Sequence, residues 1–230
     1  QLTNLTSLDL DLPDWNMLSS LQPLSISQLV LDMAGLRTSH VNDLARVLLH
    51  TSSLTQLNLQ YRITSDNLSL ISPRCTSDTL LALFPMLPPI AGLRHLTISL
   101  RSSLTAQIAI IEYLPKLTQL THLNLRMLWD SSETEANQLM TNIFSLTQLV
   151  ELHLNLGLNG IMPHSYLVSD HLTEISNMAH LEALSLPNCG LLPENLTELL
   201  KVIPTGLKQL NVDKNIYLTN LEEDEPLFRP

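Results

Sequence analysis

The chain has 230 residues, 44% of them hydrophobic and only 4% aromatic, and carries a formal net charge of −10 from 12 Lys plus Arg against 22 Asp plus Glu. So acidic a chain lacks the basic surface that nucleic acid or an anionic membrane demands, and it has no apolar run of about 18 residues to span a bilayer. Its two cysteines, Cys75 and Cys189, make no disulfide framework, which favours a reducing, intracellular and cytoplasmic setting.

Leucine supplies 55 of the residues, and its spacing organises the chain from end to end. An L-x-x-L-x-L core recurs eight times, beginning with LTSLDL from Leu5, ISQLVL from Ile26, LTQLNL from Leu54 and LRHLTI from Leu93. It continues as LTHLNL from Leu120, LVELHL from Leu149, LEALSL from Leu181 and LKQLNV from Leu207. Successive cores start 21, 28, 39, 27, 29, 32 and 26 residues apart. Within each core the last two apolar positions alternate with polar ones, as a short strand with one buried face requires.

Between cores the pattern changes to helix. VNDLARVLLH follows Ser39 as an N-cap, and DTLLALFPML supplies the next return. Ser132 and Glu135 stand at capping-box spacing before NQLMTNIF, and Pro193 opens ENLTELLKVI as a first-turn proline. The interval of 21 is too short for a full helix, whereas that of 39 carries an insertion near 62–78 with the polar stretch ITSDNLSLISPRC. Residues 157–168 form a smaller excursion, and 221–230, LEEDEPLFRP, leave the pattern as an acidic tail or linker.

Eight such cores at this period resemble the leucine-rich repeat proteins, and the room that intervals of 26–32 leave for a helix points to their ribonuclease-inhibitor-like type. The resemblance covers residues 1–220 as one domain of about eight repeats. It implies an α/β fold: a right-handed horseshoe solenoid with a parallel sheet on the concave face and helices on the convex face. It also implies an Asn or Cys in the bend beyond each strand, a slot that Ala34, Cys189 and Asn215 fit and that Arg62, Arg101, Leu128 and Gly157 do not.

No H-E-x-x-H, Gly-rich phosphate loop, Cys-x-x-Cys or G-x-S-x-G motif is present, so no catalytic residue, metal ligand or cofactor is assigned. A solenoid of this kind binds through the outward strand positions of its sheet. The candidates there are Asp9, Asp11 and Asp32 near the start, then Asn58 and Gln60, then a central patch of His95, His122, Asn124, Arg126, Glu151 and His153. Imidazole, amide and charged groups in neighbouring coils make a hydrogen-bonding patch for a protein ligand; an evenly solvated face is the plainer alternative. An apolar stripe of Leu12, Met33, Tyr61, Leu100, Met127 and Leu156 marks either an exposed ridge or a continuation of each strand.

The function expected is non-catalytic protein–protein recognition by a monomer, without nucleic acid or membrane. The resemblance extends this to the targeting part of a larger protein, such as a secreted bacterial effector, a ubiquitin-ligase substrate receptor or an innate sensor. Two alternatives stand: an enzyme whose catalytic domain lies outside these residues, and a solenoid that self-associates through the ridge.

Overall fold

The computed structural model describes residues 6–10, 25–33, 36–60, 77–100, 104–127, 133–157 and 171–215. The chain divides into two compact units, Gln1–Thr121 and His122–Pro230. In the first, β1 (Ser7–Leu10), β2 (Gln28–Asp32), β3 (Gln56–Gln60) and β4 (His95–Leu100) are parallel neighbours in chain order. Helices α1 (Thr38–His50), α2 (Ser77–Leu83) and α3 (Leu104–Tyr113) belong to the same unit, α2 lying between its two neighbours. The second unit repeats the plan with β5 (His122–Met127), β6 (Glu151–Asn155), β7 (Ala183–Ser185) and β8 (Gln209–Asn211), again parallel, and helices α4 (Glu133–Phe144), α5 (Leu172–Ile175) and α6 (Pro193–Val202).

All eight leucine cores are therefore strands, and their register sets equivalent positions side by side. Leu29 faces Leu57 and Leu57 faces Leu96; in the second unit Leu152 faces Leu184 and Leu184 faces Leu210. Each pair of inward leucines extends one ladder. Along β3 and β6 the inward residues are buried while the outward ones stay at least partly open. A fully buried leucine contributes roughly 1.5–3 kcal/mol, so the ladder is the main source of stability.

In four of the coils the first leucine of the core lies before the strand and is reached by a descent in steps of three residues. In the fourth coil, the N–H groups of Leu87, Ile90 and Leu93 donate to the carbonyls of Phe84, Leu87 and Ile90 at 3.1, 3.0 and 3.0 Å. The same steps run Leu114–Leu117–Leu120, Ile143–Leu146–Leu149 and Ile175–Met178–Leu181, and every one of these side chains is buried. The predicted helix over 78–87 accordingly ends at Leu83, and a 3-10 turn over Phe84–Met86 begins the descent. Pro85 has no N–H to continue the helical bonding.

Neighbouring coils are joined just ahead of the strands by carbonyls that each accept two N–H groups. Ser27 O takes those of Thr55 and Gln56 at 2.9 Å each, Val150 O those of Glu182 and Ala183, and Glu182 O those of Lys208 and Gln209. The coils approach so closely here that a Cβ on Gly92 would lie 2.8 Å from Leu54 O. Only glycine fits that contact.

Beyond the strands, the predicted polar slot is filled as expected near the end of the chain. Asn215, fully buried, accepts the N–H groups of Cys189 and Leu191 on its Oδ1 at 3.0 Å each, and its Nδ2 donates to Leu186 O and Val212 O. One side chain so satisfies four backbone groups of the two bends. The buried Cys189 thiol donates back to Leu154 O of the preceding coil at 3.4 Å. Gly157, the odd occupant of the slot, takes a positive φ of 60°, and its N–H is received by Asn155 Oδ1. Positions 34, 62, 101 and 128 lie outside the described residues, as do most of the 62–78 insertion, most of the 157–168 excursion and the 221–230 tail.

Two further expectations change. Helix α1 starts at Thr38, so Ser39 is inside it rather than capping it; His40 Nδ1 instead accepts the N–H of Arg37 at 3.3 Å. Its longer side chain reaches back across the first turn, the task Glu or Gln performs in a capping box. The apolar stripe is no ridge where it is described: Met33, Met127 and Leu156 are buried, because they continue the inward face by one more step. Leu12 and Tyr61 lie outside the described residues. Pro193 does open α6 at its first turn, with Asn195 Oδ1 accepting the Leu192 N–H at 2.9 Å, and α4 begins at Glu133, directly after Ser132.

Candidate functional site

In the second unit the register brings five of the six central candidates onto two adjacent strands. His122 stands opposite Glu151, Asn124 opposite His153, and Arg126 opposite Asn155. Leu123, Leu125, Leu152 and Leu154 between them turn into the core, which fixes the five on the outward face. Arg126 and Glu151 are exposed, whereas His122, Asn124 and His153 are half-buried. Burial lowers the pKa of His153 below the ordinary 6.5, the charge of Arg126 lowers it further, and Glu151 works against both. His153 is thus neutral at pH 7, with one ring nitrogen to donate and one to accept.

The sixth candidate, His95, belongs to the first unit, where it faces Gln56 on β3. Asn58 faces Thr97 and Gln60 faces Ser99 on the same pair of strands. His95, His122, Gln60 and Asp9 already take part in interactions within the protein. Asp9 sits on β1 opposite Val30; Asp11 lies outside the described residues.

Asp32 departs from expectation. It keeps the predicted register opposite Gln60, yet it is only 3% exposed, and Val30 beside it on the outward side is also buried. A carboxylate this deep must be held by partners inside the molecule, and Asp32 has such interactions. It is a structural group and not part of a ligand-facing column. Pro187, which the alternation along β7 would turn outward, is likewise buried, in a bend where Asn188 takes a positive φ of 53° and Gly190 one of 67°.

The outward face also contains groups that the sequence did not single out. Over β6–β8 lies a cavity of about 550 Å³, lined by Glu151, His153, Ala183, Ser185, Lys208, Gln209 and Asn211 together with the leucine backbone between them. That volume falls within the usual range of about 300–1,000 Å³ for ligand sites. Asn58 Oδ1, Asn124 Oδ1 and Ser185 Oγ, each at the middle outward position of its strand, are inaccessible to solvent and have no hydrogen-bond partner among the described residues. Ser185 carries neither charge nor imidazole, so its column position was the one signal that could have marked it.

Among the described residues no three His, Cys, Asp or Glu side chains gather as a metal site, and no helix is long and apolar enough to cross a membrane. Burial pushes the Cys189 thiol up to about 12, and its partners are backbone carbonyls, so it serves the fold.

No protein-family model matches the chain, and no curated protein does. Among solved structures, the chain is similar to one from the crystal structure of the Rad7 and Elc1 complex in yeast, at 16% identity and a TM-score of 0.42. The similarity covers 90% of this chain and 53% of that one, so the present chain spans about half its length. The eight parallel strands, their helical returns and the asparagine and cysteine bends identify the fold on their own terms: it is a leucine-rich repeat α/β fold of the strand–helix type.

Proposed function

We propose that the chain is a non-catalytic protein-recognition module that binds a protein ligand through the outward face of its strands. The observation that carries this reading is the unspent polar capacity of that face. Arg126 and Glu151 are exposed on it beside the half-buried His122 and His153, and Asn124 Oδ1 and Ser185 Oγ there have no hydrogen-bond partner among the described residues. An unpaired buried polar group costs about 1–3 kcal/mol, a cost that an intermolecular hydrogen bond removes. His95, Asn58, Gln60 and Asp9 extend the reading to the first unit. Service as the targeting part of a larger protein, whether effector, ligase receptor or sensor, belongs to the same proposal.

Capture from a cell lysate, read by mass spectrometry, tests it. The unaltered chain is compared with one carrying His122→Ala, Asn124→Ala and Arg126→Glu, with thermal melting confirming that both fold. A protein retained by the first and lost by the second supports the outward face. Equal capture by both contradicts it.

A further inference from the structure

The cavity over β6–β8 allows the partner's chemistry to be stated, on the basis of the recognition reading above. Its two rims differ in charge. On one, Lys208 is already held by Glu182 at 2.8 Å, so this pair presents little net charge. On the other, Glu151 is exposed and forms no ion pair among the described residues. Glu151 is therefore the charged lining group without an ion pair among the described residues, and a cation is what complements it.

The interior is polar but uncharged. Ser185 Oγ has no partner, and a turn about its Cα–Cβ bond aims it into the space. Asn211 Oδ1 is occupied by the Asp213 N–H at 2.9 Å, which fixes the amide and leaves Nδ2 as a donor. Gln209 is exposed and adds an amide, and the neutral His153 ring adds a donor and an acceptor. Donors and acceptors of this kind in a half-open space match a side-chain amide or hydroxyl and its backbone. The exposed Glu151 on the rim disfavours a carboxylate or phosphate beside it, and the polar lining disfavours an apolar plug.

We infer that the cavity over β6–β8 receives an extended segment of a protein ligand in which a Lys or Arg adjoins an amide or hydroxyl residue. The cation pairs with Glu151 while its neighbour hydrogen-bonds with Ser185, Asn211 and His153. Extended backbone fits because the sheet presents its outward side chains at regular steps of about 6.6 Å along each strand, the spacing of alternate residues in an extended peptide.

A phage-displayed random-peptide library panned against the whole chain provides the test. The expected winners carry Lys or Arg within one residue of Asn, Gln, Ser or Thr. Their capture falls about tenfold with Glu151→Gln, the size of one charge-assisted hydrogen bond, and falls again with Ser185→Val. Lys201→Ala on α6, outside the cavity lining, leaves capture unchanged. Thermal melting of each variant separates lost binding from lost folding. Winners that are acidic or apolar, or whose capture survives Glu151→Gln, overturn the inference but leave the lysate test of the outward face standing. A library that yields no winner overturns it as well.

Discussion

Two sets of buried polar atoms in the second unit are treated in opposite ways. In the bends beyond β7 and β8, Asn215 spends every hydrogen-bonding group it has on the backbone, and Cys189 reaches a carbonyl of the coil before it. At the middle outward positions of β5 and β7, Asn124 Oδ1 and Ser185 Oγ are equally hidden and have no hydrogen-bond partner among the described residues. Both sets are polar and both are desolvated; only the first contributes to folding. The contrast separates the residues that build the coil from those the coil displays.

The largest effect expected is in the ladder itself. Leu154→Ala, at a position with no exposure, should cost about 2–5 kcal/mol in urea unfolding. Asn215→Ala should follow closely at about 3 kcal/mol, because it strands four backbone groups at once. A loss under about 1 kcal/mol there would break the comparison. Gly92→Ala should cost about 1–3 kcal/mol, since the new methyl meets Leu54 O at 2.8 Å and a backbone atom cannot swing aside.

Smaller effects sharpen the contrast. In a Cys75→Ser background, Cys189 should resist alkylation at pH 8 and react only as the chain unfolds, because a buried thiol with its pKa near 12 offers no thiolate. His153 supplies a pH signature. Its folded pKa is depressed, so the unfolded chain binds more protons, and stability should fall as pH drops below about 6.5 toward the folded value. His153→Gln should flatten that part of the stability profile, and an unchanged slope would show that His153 is not the group responsible.

Much of this was legible in the leucine spacing. Every core from Leu5 to Leu207 became a strand because a period of two inside a period near 29 admits one face only. The bend was legible too, since Cys189 and Asn215 sit at the same offset from Leu181 and Leu207. The descents were harder to see: Phe84 and Leu87 read as the end of a helix, because a spacing of three suits a helix as well as a chain of tight turns. Asp32 and Pro187 show the other limit. Alternation assigns each to the outward side but says nothing about what lies over that side. Of the candidate patch, the pairing of Asn124 with His153 followed from register alone, whereas the cavity at Ser185 needed the coils to be placed.

The central claim is that the outward column is kept for a partner at no benefit to the fold. Its most direct test is Ser185→Ala, measured side by side in urea unfolding and in capture of the lysate partner. The account predicts stability unchanged or raised by up to about 1 kcal/mol, because an unpaired buried hydroxyl has been removed, together with weakened capture. Stability lost on the scale of Asn215→Ala, with capture intact, would contradict it.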